Sequence, residues 1–254
     1  MNLSVGIITY NEANDLPRTL QAVKDIADEI VIVDSGSTDE TPEIASSFGA
    51  RFYVEEWKGF GMQKNSVIEK CKGKWILLID ADEEISPALR EEIRQITVQE
   101  QTPFNVYKLR FLTFCFGKGI KHGGWSGFFR VRLFRNGSGK YNDNRVHENF
   151  ITTEAIGAIH KNINHYTYID LGDYLQKFNH YTSQSAEMYY QRGKKKSFPM
   201  IILSAGFYFL KSYIWNLGFL DGYEGYLLSK LGALVVLIKY SKLRELNQRS
   251  VNRK

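Results

Sequence analysis

Cysteine is nearly absent from this 254-residue chain: only Cys71 and Cys115 occur. Their separation matches no metal-ligand spacing and offers no disulfide framework, which excludes a disulfide-stapled scaffold and suits a reducing compartment. Long apolar runs are missing too. The run Phe198–Leu210 ends after thirteen residues at Lys211, and that over 231–238 is shorter, against the roughly 20 residues needed to span a bilayer. The amino terminus has neither a basic n-region nor a small-residue cleavage site. It reads as the first strand of a domain, so the expected location is cytoplasmic. No internal repeat or low-complexity tract occurs. No glycine-rich basic phosphate loop follows the first strand pattern, which argues against a nucleotidyltransferase. No nucleic-acid recognition motif accompanies the basic residues, so no nucleic-acid partner is expected.

What is present supports a full core. Hydrophobic residues make up 43% of the chain and aromatic residues 14%, which excludes general disorder. The net charge of +5 is unevenly spread. From Tyr190 onward twelve Lys/Arg face three acids, whereas the first 189 positions carry 21 basic and 25 acidic residues. The basicity belongs to the tail and needs its own explanation.

The first hundred residues alternate strand and helix patterns. Segments 3–9, 29–34, 51–55 and 74–80 read as strands. Between them, 13–26 places Leu16, Leu20, Val23 and Ile26 at helical spacing, Ser37-Thr38-Asp39 offers helix caps, and 60–71 reads as a helix. Another helix opens at Ser86-Pro87. This alternation implies a parallel sheet with right-handed crossovers, whose ligands lie outside the strands' carboxyl ends. Beyond residue 103, strands at 106–111, 128–135 and 156–166 follow without intervening helices, separated by glycine-rich loops at 117–127 and 136–139. From Asp170 the pattern turns helical, with an amphipathic face through Leu171, Tyr174, Phe178 and Tyr181.

Polar groups gather where those strands end: Thr9-Tyr10-Asn11-Glu12, Asp34-Ser35-Gly36-Ser37 and Asp80-Ala81-Asp82. Strand alternation projects Asp80 and Asp82 to one side, and two hard oxygen donors suit a divalent cation that also holds phosphate oxygens. Glu83 and Glu84 read as helix-start charges, and Asn11 as a turn stabiliser. Arg130, Arg132 and Arg135 alternate with apolar residues. They read either as a solvated strand face or as ligands for a phosphate-bearing acceptor.

In order and spacing, Ile8-Thr9-Tyr10-Asn11-Glu12, Ile32-Val33-Asp34-Ser35-Gly36-Ser37-Thr38-Asp39 and Leu78-Ile79-Asp80-Ala81-Asp82 resemble family 2 glycosyltransferases. These are inverting, nucleotide-sugar-dependent enzymes of the α/β GT-A fold. Gln63-Lys64-Asn65, Arg132-Leu133-Phe134-Arg135, Val146-His147-Glu148 and Gly218-Phe219-Leu220-Asp221-Gly222 resemble a narrower branch, the bacterial lipopolysaccharide inner-core β-1,4-glucosyltransferases. The resemblance implies a GT-A catalytic domain over residues 1–168, with a nucleotide-sugar half (1–102) and an acceptor-side half (103–168). A helical, membrane-associating extension would follow over 169–254. Thr9, Tyr10, Glu12 and Asp34 would line the base and ribose pocket. Asp80 would contact ribose or metal, and Asp82 would hold Mg²⁺ or Mn²⁺ against the diphosphate. Lys64 either reaches the nucleotide or is an exposed helix lysine.

Inversion also needs a base for the acceptor hydroxyl. Glu148 is the choice, with Asp143 in reserve. His147 could orient it, touch phosphate, act as base itself, or be a buried hydrogen-bonded histidine. Trp125 and His122 are expected on the acceptor side, Trp125 with the alternative of a core anchor.

The implied reaction moves a hexose, glucose in the resembled branch, from a UDP-sugar to a lipid-linked saccharide such as lipopolysaccharide core. Two rivals are a polyprenyl-phosphate sugar synthase and a non-catalytic membrane scaffold with a nucleotide-binding fold. The basic, aromatic-rich tail suits the inner face of the cytoplasmic membrane, with packing on the catalytic domain or on another subunit of a homo-oligomer as the alternative.

Overall fold

A computed structural model describes residues 1–143 and 148–251. The chain divides into two compact units, one formed by Met1–Phe111 and Phe128–His165, the other by Leu112–Gly127 and the chain from Tyr166 onward. A single cut at 168 was the expectation. Instead, 112–127 clusters with the carboxyl-terminal helices, because Cys115 and Ile120 bury their side chains with Leu228.

In the first unit, β1 (Leu3–Thr9), β2 (Glu29–Asp34), β3 (Arg51–Val54) and β4 (Trp75–Asp80) form the parallel half of a sheet. The strands β5 (Glu83–Ile85), β6 (Val106–Cys115), β8 (Phe129–Arg135) and β11 (Ile156–Tyr168) extend it, giving the order β3-β2-β1-β4-β8-β6-β11-β5. β4 and β8 pair antiparallel. A short strand β7 (Lys118–Ile120) pairs with the end of β6 inside the expected glycine-rich loop, and β9 (Lys140–Tyr141) pairs with β10 (Phe150–Ile151).

Helices cover both faces of the parallel half, so its strands are apolar on both sides. Ile30, Ile32, Trp75, Leu77 and Ile79 share one core with α1 (Leu16–Val23), α2 (Thr41–Ser47) and α4 (Pro87–Thr97). The alternate residues Val31, Val33, Ile76 and Leu78 share a second core with α3 (Phe60–Lys70). Gly6 lets α3 press onto β1: a Cβ there would lie 2.4 Å from the Val67 side chain.

In the second unit, α5 (Leu171–Gln191), α6 (Phe198–Leu210) and α7 (Gly222–Val251) are helical as the pattern from Asp170 onward indicates. Gly232 of α7 lies where a Cβ would come within 2.2 Å of the Tyr208 ring, so α6 and α7 approach closely at that level. The helical run does not stop at Lys211. It continues as a π turn through Lys211–Trp215, making an 18-residue apolar segment, Phe198–Trp215, of mean hydropathy 1.2. By length and composition alone that segment could cross a bilayer. Only 11% of it is buried, which separates it from a core helix.

Candidate active site

Parallel registry brings the predicted groups to one sheet edge. Thr9 stands opposite Asp34 and Ile8 opposite Asp80. Asp34 is 1% exposed and fully engaged by its own loop and by Thr9. Its Oδ1 accepts from the backbone N–H groups of Gly36 (2.8 Å) and Ser37 (2.7 Å). Its Oδ2 accepts from Thr9 Oγ1 (2.8 Å) and Ser37 Oγ (2.5 Å). A nucleobase N–H reaching Asp34 would have to replace one of these donors. Asn11, with φ +54°, takes Ser37 Oγ as acceptor for its N–H and gives its Oδ1 to Thr38 N–H, which ties the β1 and β2 loops together. The turn reading of Asn11 therefore holds. Tyr10 projects from this edge 58% exposed, its ring face available for stacking. The Glu12 backbone N–H is held by Thr41 Oγ1 at 2.8 Å.

Beyond β4 the arrangement is a chain of buried charges. Lys64 is no exposed helix lysine: it is 2% exposed, and its Nζ donates to Glu148 Oε1 (2.9 Å) and lies 3.2 Å from Asp80 Oδ1. Arg132 is no solvated strand residue either. Its Nη2 donates to Asp80 Oδ2 (2.7 Å) and Glu83 Oε1 (2.5 Å). Glu83 is not a helix-start charge; it is buried in β5, and its Oε2 accepts the Asp80 N–H at 3.0 Å. Thr19 Oγ1 closes the turn by donating to the carbonyls of Ala81 and Glu83.

The whole α3 motif serves this arrangement. Gln63 accepts from the Lys58 N–H, and Asn65 exchanges two 2.8 Å hydrogen bonds with the Tyr141 backbone. Gly61 allows α3 to approach the segment leading to Glu148, since a Cβ there would lie 2.0 Å from the Asn142 carbonyl oxygen.

The electrostatics follow from that packing. Burial pushes the Asp80 carboxyl up, but Arg132 and then Lys64 outweigh it and hold the group well below the usual carboxylate range. Burial lifts Glu83 to about 7 despite Arg132. Half-buried Glu148 feels the same upward push, yet Lys64 draws its pKa below the ordinary value, so the base candidate is ionised at neutral pH.

Asp82 and Asp80 differ in their capacity to hold a metal. Asp80 already faces two cations, although its buried Oδ1 accepts no hydrogen bond. Asp82 is partly exposed and, among the described residues, meets His165 Nε2 at 3.2 Å. Sequence reading missed His165. Pairing of β11 with β5 sets it opposite Glu83, and an ordinary-looking strand histidine gave no signal of that long-range registry. Among the described residues no group of three or more His, Cys, Asp or Glu is placed to cage an ion. One carboxylate with a neighbouring imidazole does fit a divalent ion that takes its remaining ligands from a substrate diphosphate.

Other predicted residues fall elsewhere. Trp125 and His122 belong to the second unit, whereas the residues above belong to the first. Trp125 packs against the Cys115–Ile120–Leu228 cluster and meets Tyr168 edge-on at 6.2 Å, so it is a core anchor. His122 Nδ1 lies 3.1 Å from buried Asp221, whose other carboxylate oxygen accepts the backbone N–H groups of Lys121 and His122. That contact gives the Gly218–Asp221 turn its local purpose. Asp143 is exposed, and His147 lies outside the described residues.

Comparison with known proteins points one way. The model of the glycosyl transferase family 2 matches residues 4–138. An uncharacterized glycosyltransferase of Rickettsia bellii is 32% identical over 96% of this chain and 87% of its own length. The lipopolysaccharide core biosynthesis glycosyltransferase LpsC of Rhizobium meliloti is 29% identical over 95% of this chain and 91% of its own. Residues 1-349 of S. aureus TarS, solved in complex with UDP, superpose with a TM-score of 0.50 at 15% identity. That likeness covers 98% of this chain and 92% of TarS 1-349, and it shows the GT-A fold.

Proposed function

The chain belongs to glycosyl transferase family 2, and from that premise we propose an inverting hexosyltransferase that moves a sugar from UDP to a lipid-linked saccharide. The observation that carries this is the pair of carboxylates set apart by the Lys64–Asp80 bridge. Asp82, beside His165, is open toward the sheet edge, while Glu148 is held ionised by Lys64. One handles the leaving diphosphate and the other the attacking hydroxyl. Asp82 and His165 would hold a Mg²⁺ or Mn²⁺ ion; when bound, it supplies positive charge against the departing diphosphate.

The steps left to the protein are these. Tyr10, Thr9, Glu12 and the Asp34 loop receive the uridine. Asp80, fixed by Lys64 and Arg132, shapes the turn that aims Asp82. Glu148 accepts the proton from the acceptor hydroxyl as its oxygen attacks the anomeric carbon and the diphosphate leaves. UDP is the nucleotide in the TarS complex, and the name of LpsC supports a lipopolysaccharide-type acceptor. Exposed Leu203, Phe207 and Trp215 beside the Lys194-Lys195-Lys196 cluster support peripheral attachment to the inner face of the cytoplasmic membrane.

Replacing Glu148 with Gln tests the assignment. UDP affinity should stay near the wild-type value while transfer falls by about 10²–10⁴-fold. Wild-type transfer in that variant would move the base role to Asp143 or His147.

A further inference from the structure

Beside Glu148, in the first unit, β6 and β8 line a recess of about 380 Å³. Its lining holds four cations, Lys64, Lys108, Arg130 and Arg132, and one carboxylate, Glu148. Lys64 and Arg132 are buried and answered by Asp80, Glu83 and Glu148. Lys108 and Arg130 are exposed and form no ion pair among the described residues. Each instead lies over a phenyl ring of the recess wall, Lys108 Nζ 5.4 Å from the Phe129 centroid and Arg130 Cζ 5.5 Å from that of Phe128. Ring faces restrict where these flexible cations sit without neutralising them. Deeper in, the Nε–H of Arg132 is buried and has no acceptor. That guanidinium also lies over the Phe111 ring, 5.5 Å from its centroid.

The recess therefore offers uncompensated positive charge on Lys108 and Arg130, apolar ring surface and the carboxylate assigned to the acceptor hydroxyl. The recess adjoins the Asp80 turn through β8, Lys64 and Arg132 and extends away from it to Lys108 on β6, two strands from β4, roughly 10 Å at about 4.8 Å per strand. We propose that this recess is the acceptor subsite and takes a saccharide that carries a phosphate or carboxylate group near the attacked hydroxyl, with Lys108 and Arg130 gripping the anion. The proposal rests on the transferase reading above and adds the acceptor's charge to it.

The test titrates full-length protein, by calorimetry at low and high salt, with a hexose 6-phosphate, the same hexose unphosphorylated, inorganic phosphate and UDP. The double variant Lys108→Gln/Arg130→Gln is measured in parallel. The hexose phosphate should bind at least about tenfold tighter than the neutral hexose and than phosphate alone, and the double variant should lose about that factor. UDP affinity should change by less than about twofold. Equal binding of hexose and hexose phosphate, or no loss in the double variant, overturns the proposal. Phosphate binding as tightly as the sugar phosphate also overturns it, leaving a bare anion site. An equal loss of UDP affinity reassigns the recess to the donor and overturns it while the transferase reading stands. Failure of wild-type protein to bind UDP at all sinks that reading instead.

Discussion

Lys64 is the residue on which the first unit's charge arrangement turns. It is buried between Asp80 and Glu148, so its removal leaves two carboxylates facing each other across a low-dielectric gap. Breaking such a buried pair costs about 3–5 kcal/mol, and Lys64→Met should lower stability by that amount in urea unfolding. Loss of less than 1 kcal/mol would mean the network is solvated. The same contact sets a pH dependence. Glu148 titrates below its ordinary value of 4.5 because Lys64 outweighs the opposing effect of burial. A depressed folded-state pKa means the ionised base, and the stability it contributes, is present above the unfolded value and is lost as pH falls through the folded one. Glu148 should therefore add no acid limb to the kcat/KM profile of wild-type protein above about pH 4.5. An acid limb near pH 6 to 7 that persists in both Glu83→Gln and His165→Gln would point to a histidine base instead.

At the scale of elements, α3 is the piece that joins donor edge and base. Its Gln63, Lys64 and Asn65 reach three different segments, and Gly61 sets how near the helix lies to Asn142. Gly61→Ala would push a methyl group into the Asn142 carbonyl. The expected cost is about 1–3 kcal/mol in thermal unfolding, with transfer falling further than stability accounts for, because the added methyl group would also lie 3.5 Å from Glu148 Cβ. Unchanged transfer would show that Glu148 need not be held to α3. The four parallel strands were legible in the sequence because burial on both faces writes continuous apolar runs such as Ile30-Val31-Ile32-Val33. β5 and β7 were not. Three residues each, they exist through pairing with β11 and β6 rather than through any period of their own.

For the molecule as a whole, the two units divide the labour. The first holds every nucleotide-site residue predicted from sequence, and the second holds the basic tail and the exposed apolar helix. Leu203 is 71% exposed and Trp215 67%, which is unusual for a segment of this hydropathy unless another apolar phase covers it. Full-length protein should float with vesicles containing anionic lipid and bind neutral vesicles more weakly. The double variant Leu203→Asp/Phe207→Asp should weaken flotation by about tenfold or more, since each change removes a buried side chain from the lipid interface. Flotation equal to wild type would leave these side chains to another protein surface.

The sequence by itself determined the parallel α/β half and the edge on which Thr9, Asp34, Asp80 and Asp82 meet. These features rest on local periodicity and on motifs that end strands. Only the tertiary structure decided which carboxylates are free. Asp34 is consumed by its own loop and Thr9, Asp80 by Lys64 and Arg132, and Glu83 by Arg132, whereas among the described residues Asp82 meets His165. Arg132 and His165 meet their carboxylates, and Lys64 meets Glu148, across 49 to 84 residues of chain, which leaves no local pattern, because such charge pairing depends on strand order and register rather than on spacing along the sequence.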